Sequence, residues 1–398
     1  MSKEISISVI GLGYVGLPLS ALLADSGFKV KGVDINKEIV DLTNTGKSHI
    51  AEPGLEKLLK KVVSKKNLVA YEKPSESDVF IIAVPTPIKE GFEPDVDKVM
   101  NALDSIIPLL NEGNLVIIQS TVPVGFSDMA KSYVLNKRND LENKILWAYC
   151  PERVFPGEAI AELKNNNRII GVYDDRSAEI AKSIYSSFVN GNIFITDVRT
   201  AEMCKLVENA YRDVNIAFAN EISILCNKYG VDVEELIRLV NNHPRVDMLK
   251  PGVGVGGHCI AIDPYFLIWG NDEAKLIKTA REVNLYKTKW VISQIELMIT
   301  QFSYKEKYIP TVGLLGLSYK PDVDDLRESP SLEIAREIIR RGYRVMVSDV
   351  YQKDYVGDIK ICPLEDVLSK CNLIFILTLH KEYRELVGRD NIKLFSFY

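Results

Sequence analysis

A single cysteine, Cys259, closes the run "GVGVGGHC" at residues 252–259, and Asp263 follows four residues later. A free cysteine is most often an inert small hydrophobe. Here the glycines at 252, 254, 256 and 257 provide no packing face but present backbone N–H groups, which lower a thiol pKa or bind an oxyanion. As a metal site the segment is poor, because only His258 and Cys259 are at hand and sequence neighbours rarely chelate one zinc tetrahedrally. No metal is expected. The favoured reading is a nucleophilic thiol with Asp263 brought into the same site, and the buried space-filler is the lesser alternative.

Upstream, Lys205, Asn209 and Arg212 recur at i, i+4 and i+7, which stacks them on one face of a helix. A solvated face is the bland reading. The flank "NIAFANEISILC" is too apolar for a free surface helix, so the stripe is expected to line a wet cleft. A lysine there can act as acid or base if burial lowers its pKa, and an asparagine amide can donate to an oxyanion. His243, Arg245 and Lys250, in "NNHPRVDMLKPG", add donors and cations suited to an anionic substrate, though each is singly compatible with a solvated loop.

The electron acceptor for such a thiol is suggested at the N-terminus. Gly11-x-Gly13-x-x-Gly16 follows an apolar strand pattern and opens a helical one, and Asp34 ends the next strand, close to the ~20-residue offset of a dinucleotide fingerprint. Gly11 permits the tight turn, Gly13 lets a pyrophosphate approach, and Gly16 lets helix and strand pack closely. Asp34 would accept from a ribose and repel a 2′-phosphate, so NAD is favoured over NADP. Nicotinamide chemistry with a cysteine nucleophile predicts oxidation through a thiohemiacetal and a thioester that water releases as a carboxylate. An alcohol substrate would need one earlier hydride transfer.

These residues need elements to hold them. A chain of 398 residues exceeds what one core usually supports, so two or three domains are expected. "ISISVIGLGYVGLPLSALLADSGFKVKGVDIN" reads as a βαβ unit, and "DVFIIAVPTP", "NLVIIQSTVPVG" and "KILWAYCPERV" continue a parallel sheet covered on both faces. From about Thr200 the period becomes helical, and a further βαβ follows at "TVGLLGLSYK", "SLEIAREIIRRG" and "YRVMVSDV". "SGFKVKGVDIN" and "RGYRVMVSDVY" repeat one another, as do "SESDVFIIAVPTP" and "SKCNLIFILTLH". The fold expected is α/β: two Rossmann-like, doubly wound parallel-sheet domains joined by a central helical region, divided at 1–198, 199–303 and 304–398. "GLLGLSYK" lacks the third glycine and is not expected to take a dinucleotide.

Net charge is −5, which argues against nucleic-acid or anionic-membrane partners. The longest apolar runs are strand-sized, far below the ~20 residues that span a bilayer. Six cysteines without C-x-x-C spacing fit a reducing compartment. With no signal-like stretch before the first strand, a cytoplasmic location is expected.

In order along the chain, "GLGYVGLP", "GVDIN", "AVPTP", "STVPVG", "YCPERVFPG", "RTAEMCKLVENAYRDVNIAFANE", "NHPRV", "PGVGVGGHCIAIDP" and "SYKPDVDDLRESPS" form a set that resembles the UDP-glucose/GDP-mannose dehydrogenases over nearly the whole length. "NHPRV" and "GGHCIA" look most like the branch acting on N-acetylmannosamine. The resemblance implies a four-electron, NAD-dependent oxidation of a UDP-sugar C6 alcohol to a carboxylate. It implies NAD contacts from Tyr14, Val15, Asp34, Thr86, Thr121 and Arg327. For the sugar nucleotide it implies Arg153, Val154, Lys205, Asn209, Arg212, His243, Arg245, Gly256, Tyr319 and Lys320. In that scheme Cys259 is the nucleophile and Lys205 the main acid/base, Asn209 stabilises the oxyanion, and Asp263 and Glu152 assist water. A homodimer or larger homo-oligomer through the central helix is also implied.

The family continues past "NIKLFSFY" to an Arg-Gly-containing segment, so the C-terminal domain is expected to lack its last part. Three other readings stay open on the residues alone. They are the same oxidation of UDP-N-acetylglucosamine or UDP-glucose, a two-electron β-hydroxyacid dehydrogenase, and an inactive nucleotide-binding protein.

Overall fold

Three central strands form where four apolar residues run unbroken up to a turn. "VFII", "LVII" and "LIFI" are buried at every position, as expected of parallel strands covered on both faces. A computed structural model describes residues 5–155, 157–387 and 394–396, the last by backbone alone. The described chain falls into two units, Met1–Val207 with Tyr265–Trp269, and Glu208–Pro264 with Gly270–Tyr398.

In the first unit the chain runs β1 (Ser6–Ile10), α1 (Gly16–Asp25), β2 (Lys29–Val33), α2 (Lys37–Asn44), α3 (Leu55–Ser64), β3 (Leu68–Tyr71) and β4 (Val79–Ile82). It continues through α4 (Asp97–Ile106), β5 (Leu115–Ile118), α5 (Phe126–Lys137), β6 (Leu146–Tyr149), α6 (Ala159–Asn165), β7 (Arg168–Val172), α7 (Asp175–Ser186) and β8 (Ile193–Asp197). These strands make one sheet in the order β3-β2-β1-β4-β5-β6-β7-β8, whose first six follow the dinucleotide-binding order. Alternate residues of each strand feed opposite faces. Ile7, Val9, Val79 and Ile81 pack with α1 and α3 side chains such as Leu19 and Leu59, whereas Phe80, Ile82, Val116 and Ile118 pack with Leu103 and Ala130.

The sequence pattern predicts a parallel sheet throughout, but β6 and β7 pair antiparallel. The segment between them carries one seven-residue helix, α6, and the chain turns back along β6 without a crossover, which only an antiparallel pair permits.

Two 32-residue helices follow, α8 (Val198–Tyr229) and α11 (Lys275–Glu306), separated by α9 (Val233–Val240) and the short α10 (Asp263–Ile268). Asp232 caps α9 by accepting from the N–H groups of Glu234 and Glu235. The second unit then builds β9 (Thr311–Leu315), α12 (Pro330–Arg340), β10 (Arg344–Ser348), the hairpin strands β11 (Tyr355–Val356) and β12 (Ile359–Lys360), α13 (Leu364–Lys370), β13 (Leu373–Ile376) and β14 (Leu394–Ser396). β10-β9-β13-β14 is an all-parallel sheet. The tail expected to be short falls partly on residues 388–393 and 397–398, which lie outside the described residues. Among the described residues no helix is long and apolar enough to cross a membrane.

Candidate active site

In the first unit, the candidate residues gather at the carboxyl ends of parallel strands, where open α/β sheets bind ligands. Gly11 follows β1 with φ +96°, and a Cβ there would lie 2.6 Å from the Ala83 carbonyl oxygen; at Gly16 it would lie 1.8 Å from the Gly11 carbonyl. Nothing lies within 4 Å of the corresponding point at Gly13, so that position is open to an incoming phosphate. Helix α1 has no acidic residue in its first turn and no side-chain cap, leaving its N–H groups to an anion. Tyr14 is exposed and Val15 half-buried beside it. Asp34, after β2, is half-buried; its Oδ2 accepts from Leu12 N at 3.0 Å and its Oδ1 from Asn36 N at 2.9 Å. Lone pairs remain for ribose hydroxyls, because each carboxylate oxygen accepts more than one bond. Buried Thr86 and half-buried Thr121 follow β4 and β5. This set fits NAD.

Glu152, after β6, is buried. Its Oε2 accepts from Gln119 Nε2 at 3.0 Å and from both terminal nitrogens of Arg168 at 3.1 Å, while Oε1 accepts from Arg153 N at 2.8 Å. Arg153 itself donates to the Asn167 carbonyl, and Val154 is half-buried. Lys205 is buried on α8. Glu202, one turn earlier, went unremarked in the sequence. Its carboxylate accepts from Gly125 N at 2.6 Å and Ser127 N at 2.9 Å, fastening the "STVPVG" turn that carries Thr121. An acidic residue one turn before a candidate lysine was the only signal available.

In the second unit, Cys259 is exposed and its carbonyl accepts from Ile262 N at 3.1 Å and Asp263 N at 2.8 Å. That turn brings Asp263 back to α8, where Asn209 Nδ2 donates to Asp263 Oδ2 at 2.5 Å. Arg212, the third residue of the stripe, is exposed. The loop glycines have a different reason from the one the sequence suggested. A Cβ at Gly254 would lie 2.3 Å from Thr288 Oγ1, at Gly256 2.3 Å from the Glu328 carbonyl, and at Gly257 2.7 Å from the Tyr319 ring. They are small because other segments press on the loop. The N–H groups of Gly252 and Gly257 are committed to Asn220 Oδ1 and the Arg327 carbonyl.

Tyr319 thus covers the loop while Lys320 lies half-buried beside it. Burial, with Asp325 and Cys259 adding to it, pushes the Tyr319 hydroxyl up to about 12, so it stays protonated and can donate. Arg327 is held by Asp325, which accepts from Arg327 Nε and a terminal nitrogen at 2.6 to 3.1 Å. Asp325 was not anticipated; only its place in "DVDDLRESPS" marked it. His258 is neutral near pH 7 because burial, then Arg327, push its pKa down against Asp263, Asp325 and Glu328. His243 and Arg245 are exposed on the turn after α9, with Arg245 N donating to His243 Nδ1 at 3.3 Å, and Lys250 is exposed as well. Among the described residues no group of three or more metal-ligating side chains occurs.

The chain matches the UDP-glucose/GDP-mannose dehydrogenase family in three stretches: its NAD binding domain over residues 5–189, its central domain over 199–286 and its UDP binding domain over 313–394. A relative in Campylobacter jejuni, named UDP-N-acetyl-D-mannosamine dehydrogenase, is 45% identical over 403 residues, covering 97% of this chain and 98% of its own. One in Ralstonia solanacearum, named NDP-N-acetyl-D-galactosaminuronic acid dehydrogenase, is 43% identical, covering 96% and 92%. Among solved structures, a UDP-D-ManNAc dehydrogenase from Pyrococcus horikoshii superposes with a TM-score of 0.87 at 37% identity, covering 98% of this chain and 94% of that one. With the glycine turn, the aspartate after β2 and the cysteine loop all in place, the chain belongs to the UDP-glucose/GDP-mannose dehydrogenase family.

Proposed function

We propose that this chain oxidises the C6 alcohol of UDP-N-acetyl-D-mannosamine to the carboxylate of UDP-N-acetyl-D-mannosaminuronate. The observation that carries the substrate is the 45% identity, across 97% of the chain, to a relative named for that activity. NAD, when bound, supplies the hydride acceptor, and two equivalents are consumed per substrate. Gly11, Gly13, Tyr14, Val15, Gly16, Asp34, Thr86, Thr121 and Arg327 hold it.

The chain's own groups do the rest. Lys205 takes the hydroxyl proton as the alcohol becomes an aldehyde. Cys259 Sγ adds to the aldehyde carbon, forming a C–S bond and an oxyanion, to which Asn209 donates with the amide hydrogen not given to Asp263. Loss of hydride from that adduct leaves a thioester. Water, oriented with the help of Asp263 and Glu152, then breaks the C–S bond and returns the thiol. Arg153, Val154, Arg212, His243, Arg245, Gly256, Tyr319 and Lys320 bind the sugar nucleotide, the cations opposing its diphosphate. The division into segments 1–198, 199–303 and 304–398 suits these tasks, and the three family matches support it.

The chain works as a homodimer or larger homo-oligomer in this reading. Met203, Val207, Tyr211, Phe218, Leu225 and Tyr229 are all exposed on α8 at helical spacing, an apolar stripe of the kind that marks an interface. The reading places the protein in the cytoplasm. A second substrate is favoured by the Ralstonia relative, an N-acetylgalactosamine-type sugar nucleotide. A panel of UDP-N-acetyl-D-mannosamine, UDP-N-acetylglucosamine, UDP-N-acetylgalactosamine and UDP-glucose, read by NADH absorbance, separates them. Two NADH per UDP-N-acetyl-D-mannosamine is the expected result; turnover of another sugar alone, or one NADH persisting in Cys259→Ala, overturns it.

A further inference from the structure

A line of buried polar side chains runs between α8 and α11 and ends on the backbone of the Cys259 loop. Arg281 donates to Asp213 Oδ1 at 2.6 Å, and Asn284 Nδ2 donates to Asp213 Oδ1 at 2.8 Å and to its carbonyl at 3.1 Å. Asn220 Nδ2 donates to Asn284 Oδ1 at 2.9 Å, and Asn220 Oδ1 accepts from Gly252 N at 2.8 Å. Next to it Thr288 Oγ1 donates to the Val253 carbonyl at 3.0 Å. Asp213, Asn220, Arg281, Asn284 and Thr288 are each at most 4% exposed.

The direction of this chain is forced. A backbone N–H can only donate and a carboxylate can only accept. Gly252 at one end and Asp213 at the other therefore leave one orientation for the amides of Asn220 and Asn284. Burying so many polar groups costs stability unless all are paired, and an apolar seam would hold two helices together as well. What an apolar seam lacks is register, because it has no donor that fits in one place only.

The loop is fastened at both ends to one helix: Gly252 to Asn220, and Asp263 to Asn209. At about 1.5 Å per residue those two asparagines lie about 16 Å apart along α8, and the loop is strung antiparallel between them with Cys259 on the span. We propose that Asn220 and Thr288 are positioning residues for Cys259, acting through Gly252 N and the Val253 carbonyl. This rests on the reading of Cys259 as the nucleophile.

The test uses the full-length protein, varying NAD and UDP-N-acetyl-D-mannosamine in turn with the other saturating, and compares Thr288→Val, Thr288→Ser and Asn220→Asp with wild type. Asn220→Asp keeps the shape but sets a second acceptor against Asn284 Oδ1. Thr288→Val and Asn220→Asp should lower kcat by about 10- to 100-fold, the scale of a misplaced reacting group, with KM for both ligands held within about twofold. Part of the flux should stop at the aldehyde, trapped as its semicarbazone. Thr288→Ser should behave as wild type.

A Thr288→Val protein with wild-type kcat and no trapped aldehyde overturns the proposal. So does one that fails to fold, since Thr288 then serves stability alone. If wild type turns over none of the sugar, the functional reading has failed, and the pH profile of Cys259 alkylation by iodoacetamide decides the positioning question. A profile shifted in Thr288→Val and restored in Thr288→Ser supports it, and three identical profiles overturn it.

Discussion

The two sheets carry the same device at the end of their first strands, and only one of them is open. After β1, Gly11 N donates to the Val33 carbonyl at 2.7 Å and Asp34 accepts from Leu12 N and Asn36 N. After β9, Gly316 N donates to the Ser348 carbonyl at 2.9 Å, and Asp349 accepts from Leu317 N at 2.6 Å and Tyr351 N at 2.8 Å. Asp34 is half-buried, whereas the Asp349 side chain is fully buried with His380 Nε2 at 3.5 Å. His380 Nδ1 accepts from Asp322 N at 2.9 Å, which fixes the ring with its Nε2 edge toward Asp349. Ser318 and Pro321 stand where the first turn has Gly13 and Gly16. The aspartate's first task in both halves is to tie down a glycine turn. Whether it also meets a ribose depends on what covers it.

The largest effect should come from filling the turns. Gly16→Ala puts a methyl into the Gly11 carbonyl and should abolish NAD binding, read by fluorescence titration, with a stability loss of about 3 kcal/mol or more. Gly316→Ala, at φ +84° and 2.4 Å from the Thr378 carbonyl, should destabilise its own sheet similarly and leave NAD affinity intact. If Gly316→Ala weakened NAD as much as Gly16→Ala, the comparison would collapse.

The aspartates themselves give the next effect. Asp34→Ala should raise the Kd for NAD by roughly 10- to 100-fold, the worth of charge-assisted hydrogen bonds, with a small change in Tm. Asp349→Ala should do the reverse, leaving Kd alone and costing about 1–3 kcal/mol for buried donors left unpaired. Calorimetry on both variants checks the crossed pattern.

The smallest effect is in acid. Burial opposes ionisation of Asp349, but His380 and the N–H groups of Leu317 and Tyr351 outweigh it and hold its carboxyl below the ordinary value. A depressed folded pKa contributes stability above the unfolded value of about 3.9, lost as pH falls through the folded one. Tm measured from pH 5 down to pH 3 should therefore fall more steeply in wild type than in Asp349→Asn. Equal slopes would mean that the carboxylate is not the group being held.

Much of this was legible beforehand. The glycine spacing and Asp34 were readable because a tight turn against a helix start tolerates few residue types, and the internal repeat was readable because both halves solve that same local problem. Helix α8 was plain from its period. The reason for the loop glycines was misread, since Tyr319 and Thr288, which press on them, lie far along the chain. Glu202 and Asp325 escaped notice because a carboxylate that anchors a turn looks, in one dimension, like any surface charge. The antiparallel return of β7 left no trace in an apolar run that suits either direction.

Local chemistry, then, was determined by the sequence alone: which turns need glycine, which strand ends in an acceptor, which helix carries a polar stripe, and that the thiol of Cys259 sits in a glycine-rich run. Tertiary structure decided what each of those pieces faces. Asp34 and Asp349 each follow the second strand of their sheet and accept from equivalent backbone N–H groups, and only the chain that folds over the second, bringing His380 from 31 residues away, closes it. Hydrogen bonds within a turn are set by residues a few positions apart, whereas desolvation is set by whatever packs on top.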